Sequence, residues 1–310
     1  MAAAGEHHPS EAVGVIGLGA MGEPMARNLR AGLPASREVV LTSRRHRGVE
    51  SEQDGVTWVD SPRALAQRVG VVIVMLPDLP QLREVLEGPD GLLAGVTGEG
   101  SAEGGLTLVV SSTTSPTGLR DLAAELTQRT GGSLRVVDAP VSGGVEGARE
   151  GSLAIMVGGA AQDVDPVLPV LATMGRPVHL GPLGAGQVAK AANQVIVAAE
   201  VVALAEASLL AERAGLDVAA MFDLLGGGYA ASRILEVKKQ KFVDHDHTVA
   251  GAARYMVKDL TAAQEEAEST HTSTPLAAVL LELFAGLTEA GLGDLDTTVV
   301  QEYLAGGPTP

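Results

Sequence analysis

The stretch from Val13 to Leu41 constrains the fold more than any other part of the chain. Val13 to Ile16 reads as a buried strand, Gly17-Leu18-Gly19-Ala20-Met21-Gly22 follows it, Glu23 to about Arg30 reads as helix, and Val39 to Leu41 reads as a second strand. A strand, a glycine-rich turn, a helix and another strand make a βαβ unit. Further strands are predicted at Val71 to Met75, Leu106 to Val110 and Leu134 to Val137. Between them, Ser61-Pro62 and Ser115-Pro116 each set a capping hydroxyl before a proline suited to a first helical turn. This alternation predicts an α/β protein with an N-terminal Rossmann-type, doubly wound parallel sheet.

Beyond Val178 to Leu180 the character changes. Helices are predicted over Gln187 to Ala214, Val218 to Leu225, Ala231 to Lys241, about Ala252 to Glu268, and Pro275 to Ala290, with Gly215 and Gly226-Gly227-Gly228 as punctuation. The domain reading is a mobile arm over 1–11, a nucleotide-binding Rossmann domain over 12–181, an all-helical C-terminal domain over 182–304 entered by a long apolar helix, and a tail over 305–310. The glycine-rich segment Thr97 to Gly105 reads as a surface loop.

Composition excludes several functional classes. The 310 residues carry 22 basic against 38 acidic side chains, a net charge of −16, where a nucleic-acid footprint would be basic. There is no cysteine, which removes disulfides, thiolate nucleophiles and zinc ribbons. The first residues lack the basic and apolar regions of an export signal, and the apolar run Val195 to Leu210 is broken by Glu200 and Glu206 and falls short of a bilayer span. The expectation is a cytoplasmic protein without nucleic-acid or membrane partners.

Four segments carry chemistry. In the first, Gly17 allows the tight turn, Gly19 lets backbone amides approach a pyrophosphate, and Gly22 lets the helix pack on the strand, so that an anion meets a helix N-terminus. The second strand ends in Thr42-Ser43-Arg44-Arg45. An acidic residue there would take ribose hydroxyls, whereas arginine suits a 2′-phosphate, so NADP is preferred over NAD. Asp138-Ala139-Pro140-Val141-Ser142-Gly143-Gly144 offers a hydroxyl and bare backbone amides to a small carboxylate, and as physics alone is equally an ordinary glycine turn. Lys190 is the lone charge between Gly186 and Glu200, on a helix apolar nearly all round. Burial disfavours an ammonium and brings lysine toward the range of proton transfer, and Asn193 and Gln194 fall on the same helical face. The alternative is a stem that snorkels to water. His245-Asp246-His247 reads as an exposed loop, with no metal site expected.

Together, Gly17 to Gly22 with Glu23-Pro24-Met25-Ala26-Arg27-Asn28-Leu29, Met75-Leu76-Pro77, Asp138 to Gly144, Met156-Val157-Gly158-Gly159, Lys190 to Gln194 and Lys258-Asp259-Leu260 resemble the β-hydroxyacid dehydrogenase family, in order and over nearly the whole chain. Ala192 to Ala198 and Ser232-Arg233-Ile234-Leu235-Glu236 are most similar to its tartronate semialdehyde reductase branch. The resemblance implies an NAD(P)H-dependent enzyme interconverting a small carboxylate-bearing semialdehyde and a 3-hydroxy acid, with Lys190 as general acid and base. It implies that Ser142, Gly143 and Gly144 hold the substrate carboxylate, that Asn193 and Gln194 orient its hydroxyl and carbonyl end, and that Lys258 adds a second cation. Gly17, Leu18, Gly19, Ala20, Met21, Gly22, Ser43, Arg44, Arg45, Leu76, Pro77 and Thr113 would contact the cofactor. The reaction would lie in a cleft between the domains, in a homodimer or a tetramer of dimers with the long helix at the interface.

The chain departs from the family in three places. Val110 stands where many relatives have an acidic residue, Gln194 replaces the second of two asparagines, and Ala252 to Val257 differs from the usual pattern before Lys258. There Arg254, four residues ahead of Lys258, either faces solvent or offers a site for a second substrate anion. The rival readings are a 3-hydroxyisobutyrate dehydrogenase, an imine reductase, which usually lacks this lysine, and a non-catalytic nucleotide-binding module.

Overall fold

The computed structural model describes residues 12–44, 55–97 and 105–306. Arg45 and most of the Thr97 to Gly105 loop lie outside them, as do the arm and the last four residues. The chain divides into two compact units, Met1–Lys190 and Ala191–Pro310. The division falls inside the long helix rather than ahead of it.

Among the described residues, the first unit is built on one sheet of nine strands: β1 (Val13–Ile16), β2 (Val39–Thr42), β3 (Val56–Trp58), β4 (Val71–Val74), β5 (Leu106–Val110), β6 (Leu134–Asp138), β7 (Val141–Ser142), β8 (Leu153–Gly158) and β9 (Gly175–Gly181). Their order is β3-β2-β1-β4-β5-β6-β8-β7, with β9 paired to β8. Neighbours from β3 through β6 are parallel, and β8 turns antiparallel against β6 and β7. Strands β1, β2 and β4 are buried along their whole length, as expected of a parallel sheet covered on both faces.

Alternate residues of each strand feed two separate cores. Val13, Val15, Val39, Leu41, Val71, Ile73, Val109 and Val137 point to one face and pack with Met25, Ala26 and Leu29 of the helix Gly22–Gly32. Ile16, Val40, Val72, Val74, Leu108, Val110 and Val136 point to the other, where Leu65, Leu82, Leu86, Leu119, Leu122 and Leu126 cover them. The period of two in the side chains is thus what makes the sheet doubly wound. Capping follows the sequence: the Ser61 hydroxyl accepts from Ala64 N–H and that of Ser115 from Gly118 N–H, each contributing about 1 kcal/mol.

The second unit is helical. Along the helix Ala185–Arg213, Ala198, Val201, Leu204, Ala205 and Ala211 are buried against Phe222, Leu235, Phe242, Leu260, Leu280 and Phe284 from four shorter helices. These are Val218–Leu225, Arg233–Val243, Arg254–Ser269 and Pro275–Leu287; Thr288–Leu292 then widens into a π turn at Gly291, and Val300–Ala305 closes the described chain. The long helix corrects one expectation: at 29 residues it is long and apolar enough to cross a membrane, as is Pro275–Leu292, by length and composition alone. Both helices supply side chains to the helical core.

Candidate active site

The sheet register sets one edge. Ile16 pairs with Thr42 and with Val74, Val74 with Val110, and Val110 with Asp138. Ser43, Gly17, Met75, Ser111 and Ala139 therefore step off the sheet on a single rung, at the carboxyl ends of the strands. The strand order reverses direction between β1 and β4, and this switch point is where open α/β sheets bind ligands.

At that point the glycine turn is forced sterically. Gly17 has φ +95°, and a Cβ on it would lie 2.3 Å from the Met75 carbonyl oxygen. A Cβ on Gly22 would lie 1.9 Å from the Gly17 oxygen, while one on Gly19 would meet nothing within 4 Å. The helix that follows has no side-chain cap at Met21, so its first N–H groups and positive dipole end are left for an anion. These features fit a dinucleotide pyrophosphate. Leu18 is buried in the core beneath the turn, so only its backbone is on offer; Ala20 is exposed and Met21 half-buried. At the end of β2, Ser43 is half-buried, and the exposed Arg44 donates to Gln81 Oε1 at 3.3 Å.

The ends of β4 and β5 are tied together and to the start of the long helix. Leu76 N–H, just before Pro77, donates to Ser112 Oγ at 2.8 Å. The fully buried Gln187 accepts from Thr114 N–H at 3.0 Å and donates to the Ser112 carbonyl at 2.8 Å, framing the half-buried Thr113. The Val110 side chain is wholly enclosed in the core and brings no polar group to this strand end. Asp138, buried at the end of β6, accepts from Gly184 N–H at 2.8 Å and Gln187 N–H at 2.7 Å. Burial pushes its carboxyl above the usual carboxylate range, against the N–H groups that favour its charge. Gly158 makes room for this arrangement, since a Cβ there would lie 2.4 Å from Asp138 Oδ1. Asp138 and Gln187 thus fix the first turns of the helix that carries Lys190, which is 8% exposed.

Ser142 ends β7, and Gly143 (φ +131°) and Gly144 (φ +63°) open the short helix Gly144–Glu150 with no side-chain cap. Both glycines are exposed, and a Cβ at Gly144 would meet open space. In the helical unit, Asn193 Nδ2 donates to Gln194 Oε1 at 2.9 Å, Gln194 Nε2 donates to Asp259 Oδ2 at 2.6 Å, and Lys258 Nζ donates to Asp259 Oδ1 at 2.6 Å. Three predicted substrate residues are therefore brought together through the Asp259 carboxylate, to which the sequence motif assigns no role. Arg254 pairs with Asp294 and lies over the Tyr255 ring at 5.0 Å, which gives its charge a local partner.

A family model described as the NAD binding domain of 6-phosphogluconate dehydrogenase matches residues 12–184, and one described as the NAD-binding of NADP-dependent 3-hydroxyisobutyrate dehydrogenase matches residues 184–304. The chain is 35% identical over 293 residues to the 2-hydroxy-3-oxopropionate reductase of Escherichia coli K12, covering 94% of this chain and 96% of that one. A probable 3-hydroxyisobutyrate dehydrogenase-like 3, mitochondrial, of Arabidopsis thaliana is 36% identical over 285 residues, 91% and 84% of the two chains. The solved structure of Mycobacterium tuberculosis 3-hydroxyisobutyrate dehydrogenase with L-serine superposes with a TM-score of 0.78 at 30% identity, covering 95% of this chain and 99% of that one. The glycine turn at the switch point and these likenesses over both units agree: the chain belongs to the β-hydroxyacid dehydrogenase family of NAD(P)-dependent oxidoreductases.

Proposed function

We propose that the protein reduces a small carboxylate-bearing semialdehyde to a 3-hydroxy acid, and runs the reverse oxidation, with Lys190 as the proton donor and acceptor. The observation that carries this reading is the placement of one buried ammonium on an apolar helix, with Asn193 and Gln194 three and four residues on. When bound, the reduced nicotinamide supplies hydride to the carbonyl carbon. Lys190 Nζ gives a proton to the carbonyl oxygen as negative charge gathers there, and takes it back from the hydroxyl in the reverse direction. Ser142 and the backbone amides of Gly143 and Gly144 hold the carboxylate, Asn193 and Gln194 orient the reacting end, and Lys258 adds positive charge. Gly17, Leu18, Gly19, Ala20, Met21 and Gly22 hold the pyrophosphate. Leu76, Pro77 and Thr113 lie along the nicotinamide half, and Ser43, Arg44 and Arg45 favour the 2′-phosphate of NADP.

A second reading, oxidation of 3-hydroxyisobutyrate by the same chemistry, is favoured by the match of the helical unit to the family model bearing that name. We further propose a cytoplasmic homodimer, or tetramer of dimers, without nucleic-acid or membrane partners. Ile196 and Leu210 on the long helix, 59% and 73% exposed, support self-association. The test is loss of NADPH absorbance with tartronate semialdehyde, succinic semialdehyde or the semialdehyde of methylmalonate, in parallel with Lys190→Ala. Turnover by the parent and a loss of about two to four orders of magnitude in the variant is the expected result. Equal turnover by both proteins removes the lysine from the mechanism. No turnover by a parent that still binds NADPH turns attention to imines or to a binding role.

A further inference from the structure

The end of the helix Arg233–Val243 brings together side chains that the activity does not use. His245 has φ +50°, and the next N–H, of Asp246, closes back on the Lys241 carbonyl at 2.9 Å, a helix ending in which glycine is the usual occupant. The turn aims two imidazoles at one carboxylate from the C-terminal helix: His245 Nδ1 lies 2.5 Å and His247 Nε2 3.4 Å from Glu302 Oε1. The opposite ring nitrogens are each held by another group. His245 Nε2 faces Glu212 Oε1 at 3.1 Å, and His247 Nδ1 faces the Thr298 hydroxyl at 3.0 Å.

A carboxylate only accepts hydrogen bonds, so the contact with Glu212 places a proton on His245 Nε2. Glu302 too only accepts, so without a metal His245 Nδ1 and His247 Nε2 carry the protons that face it; an ion would displace these two protons while Glu212 keeps the His245 Nε2–H and the Thr298 hydroxyl turns to accept at His247 Nδ1. This is the outer-shell arrangement that orients histidine ligands around a metal, and Gln301 Nε2, donating to Glu212 Oε1 at 3.3 Å, extends it by one more bond. The ligand atoms of His245, His247 and Glu302 all lie within 4.8 Å of one another. Donors about 2.1 Å from a tetrahedral ion stand about 3.4 Å apart, so the His247 to Glu302 spacing already matches, and the half-exposed Glu302 needs only to withdraw from His245. Glu212 and Glu302 together carry two negative charges, which one divalent cation balances. Lys241, on the preceding helix, is engaged by Asp246 and Thr248.

We propose that His245, His247 and Glu302 form a binding site for zinc or a similar imidazole-seeking divalent metal, with a fourth position open to solvent. The ion staples the loop 244–248 to the helix Val300–Ala305. Its part is structural and independent of the proposed reaction. The motif His245-Asp246-His247 alone does not reveal the third ligand, because Asp246 is turned to Lys241 and Thr248 and Glu302 stands 55 residues beyond His247.

The test is isothermal titration of the chelator-treated full-length protein with zinc chloride, with melting temperature followed in parallel. One zinc per chain is expected, bound at micromolar affinity or tighter, with a melting temperature raised by several degrees. Glu302→Gln and His245→Asn each weaken binding at least tenfold and abolish the rise, whereas Asp246→Asn leaves binding unchanged. A His7→Ser/His8→Ser variant keeps the site and removes adventitious capture by the N-terminal pair. Circular dichroism and melting without zinc establish that each variant is folded. Absence of zinc uptake by the parent, or uptake by a His245→Asn/His247→Asn variant equal to the parent's, overturns the proposal.

Discussion

Replacing Gln187 with leucine removes two buried hydrogen bonds while nearly preserving volume. The Thr114 N–H and the Ser112 carbonyl lose their partner at a site that Gln187 fills completely. Each of the two orphaned groups costs about 1–3 kcal/mol, and the greater apolarity of leucine returns about 1 kcal/mol, so a net loss of about 1–5 kcal/mol is expected. Gln187→Glu sharpens the reasoning. Its carboxylate can accept from Thr114 N–H but presents an oxygen to the Ser112 carbonyl, so the charged form is penalised and the introduced group's pKa rises on folding. Such a group takes up a proton on folding. Its variant should therefore approach the parent near pH 4, where the carboxyl is protonated and donates to Ser112, and lose stability as pH rises from there toward neutrality. The assay is urea unfolding of the parent and both variants between pH 4 and 8, read as midpoint and slope. A Gln187→Leu variant within about 0.5 kcal/mol of the parent, or a Gln187→Glu variant whose deficit does not grow with pH, would refute the view that this amide fastens the strand ends to the helix.

Three further outcomes are expected. Asp296 is fully buried and accepts from Lys238 Nζ at 2.6 Å and from the N–H groups of Ala250, Gly251 and Thr298, so Asp296→Ala should cost about 3–5 kcal/mol by denaturant unfolding. Burial pushes the Asp296 carboxyl up, but Lys238 and these N–H groups together hold it below the usual range; its contribution is complete above about pH 4 and is lost as pH falls further, a loss the variant should lack. Gly22→Ala drives a methyl into the Gly17 carbonyl and should weaken NADPH binding, measured by fluorescence titration, at least tenfold, whereas Gly19→Ala should leave stability unchanged because the added methyl meets open space. Asp259→Asn, which loosens both Gln194 and Lys258, should lower kcat/KM for the semialdehyde about tenfold, one decade corresponding to about 1.4 kcal/mol.

What could be read in advance is what short-range chemistry writes locally. Strand β4 is an uninterrupted apolar run, β1 is broken only by Gly14 and β5 only by Thr107, and Gly17 to Gly22 mark their own turn. Ser61-Pro62 and Ser115-Pro116 begin helices where those pairs predict them. Helix ends shifted by a turn or less, as at Gly22–Gly32 and Ala185–Arg213, because caps are weak and fraying is cheap. Strand β3 leaves little trace in the sequence because it has only three residues, and β8 because its less buried face holds Ala154 and Met156, which lack the β-branching and aromatic bulk that mark a strand. The helix Leu79–Leu86 is capped by Asp78, with Pro80 in its first turn, an aspartate-led variant of the serine-proline signal. Lys190 was legible as an anomaly of charge. Gln187 and Asp259 were not, because a buried amide or carboxylate reveals its role only through partners 73 and 65 positions away.

The shared rung at which β2, β1, β4, β5 and β6 end has a consequence for how such a protein diversifies. Ser43 and Arg44 lie one and two steps past the last ladder pair of β2, so neither is needed to hold that strand in register. On the proposed reading of Ser43 and Arg44 as contacts to the 2′-phosphate, exchanges at these two positions alter which coenzyme is preferred while leaving the folding free energy close to its starting value. The positions inside the rung, Ile16, Val74 and Val110, have no such latitude, since each is packed from both sides. On that reading, coenzyme preference and fold stability are separable traits along this edge, open to selection one at a time.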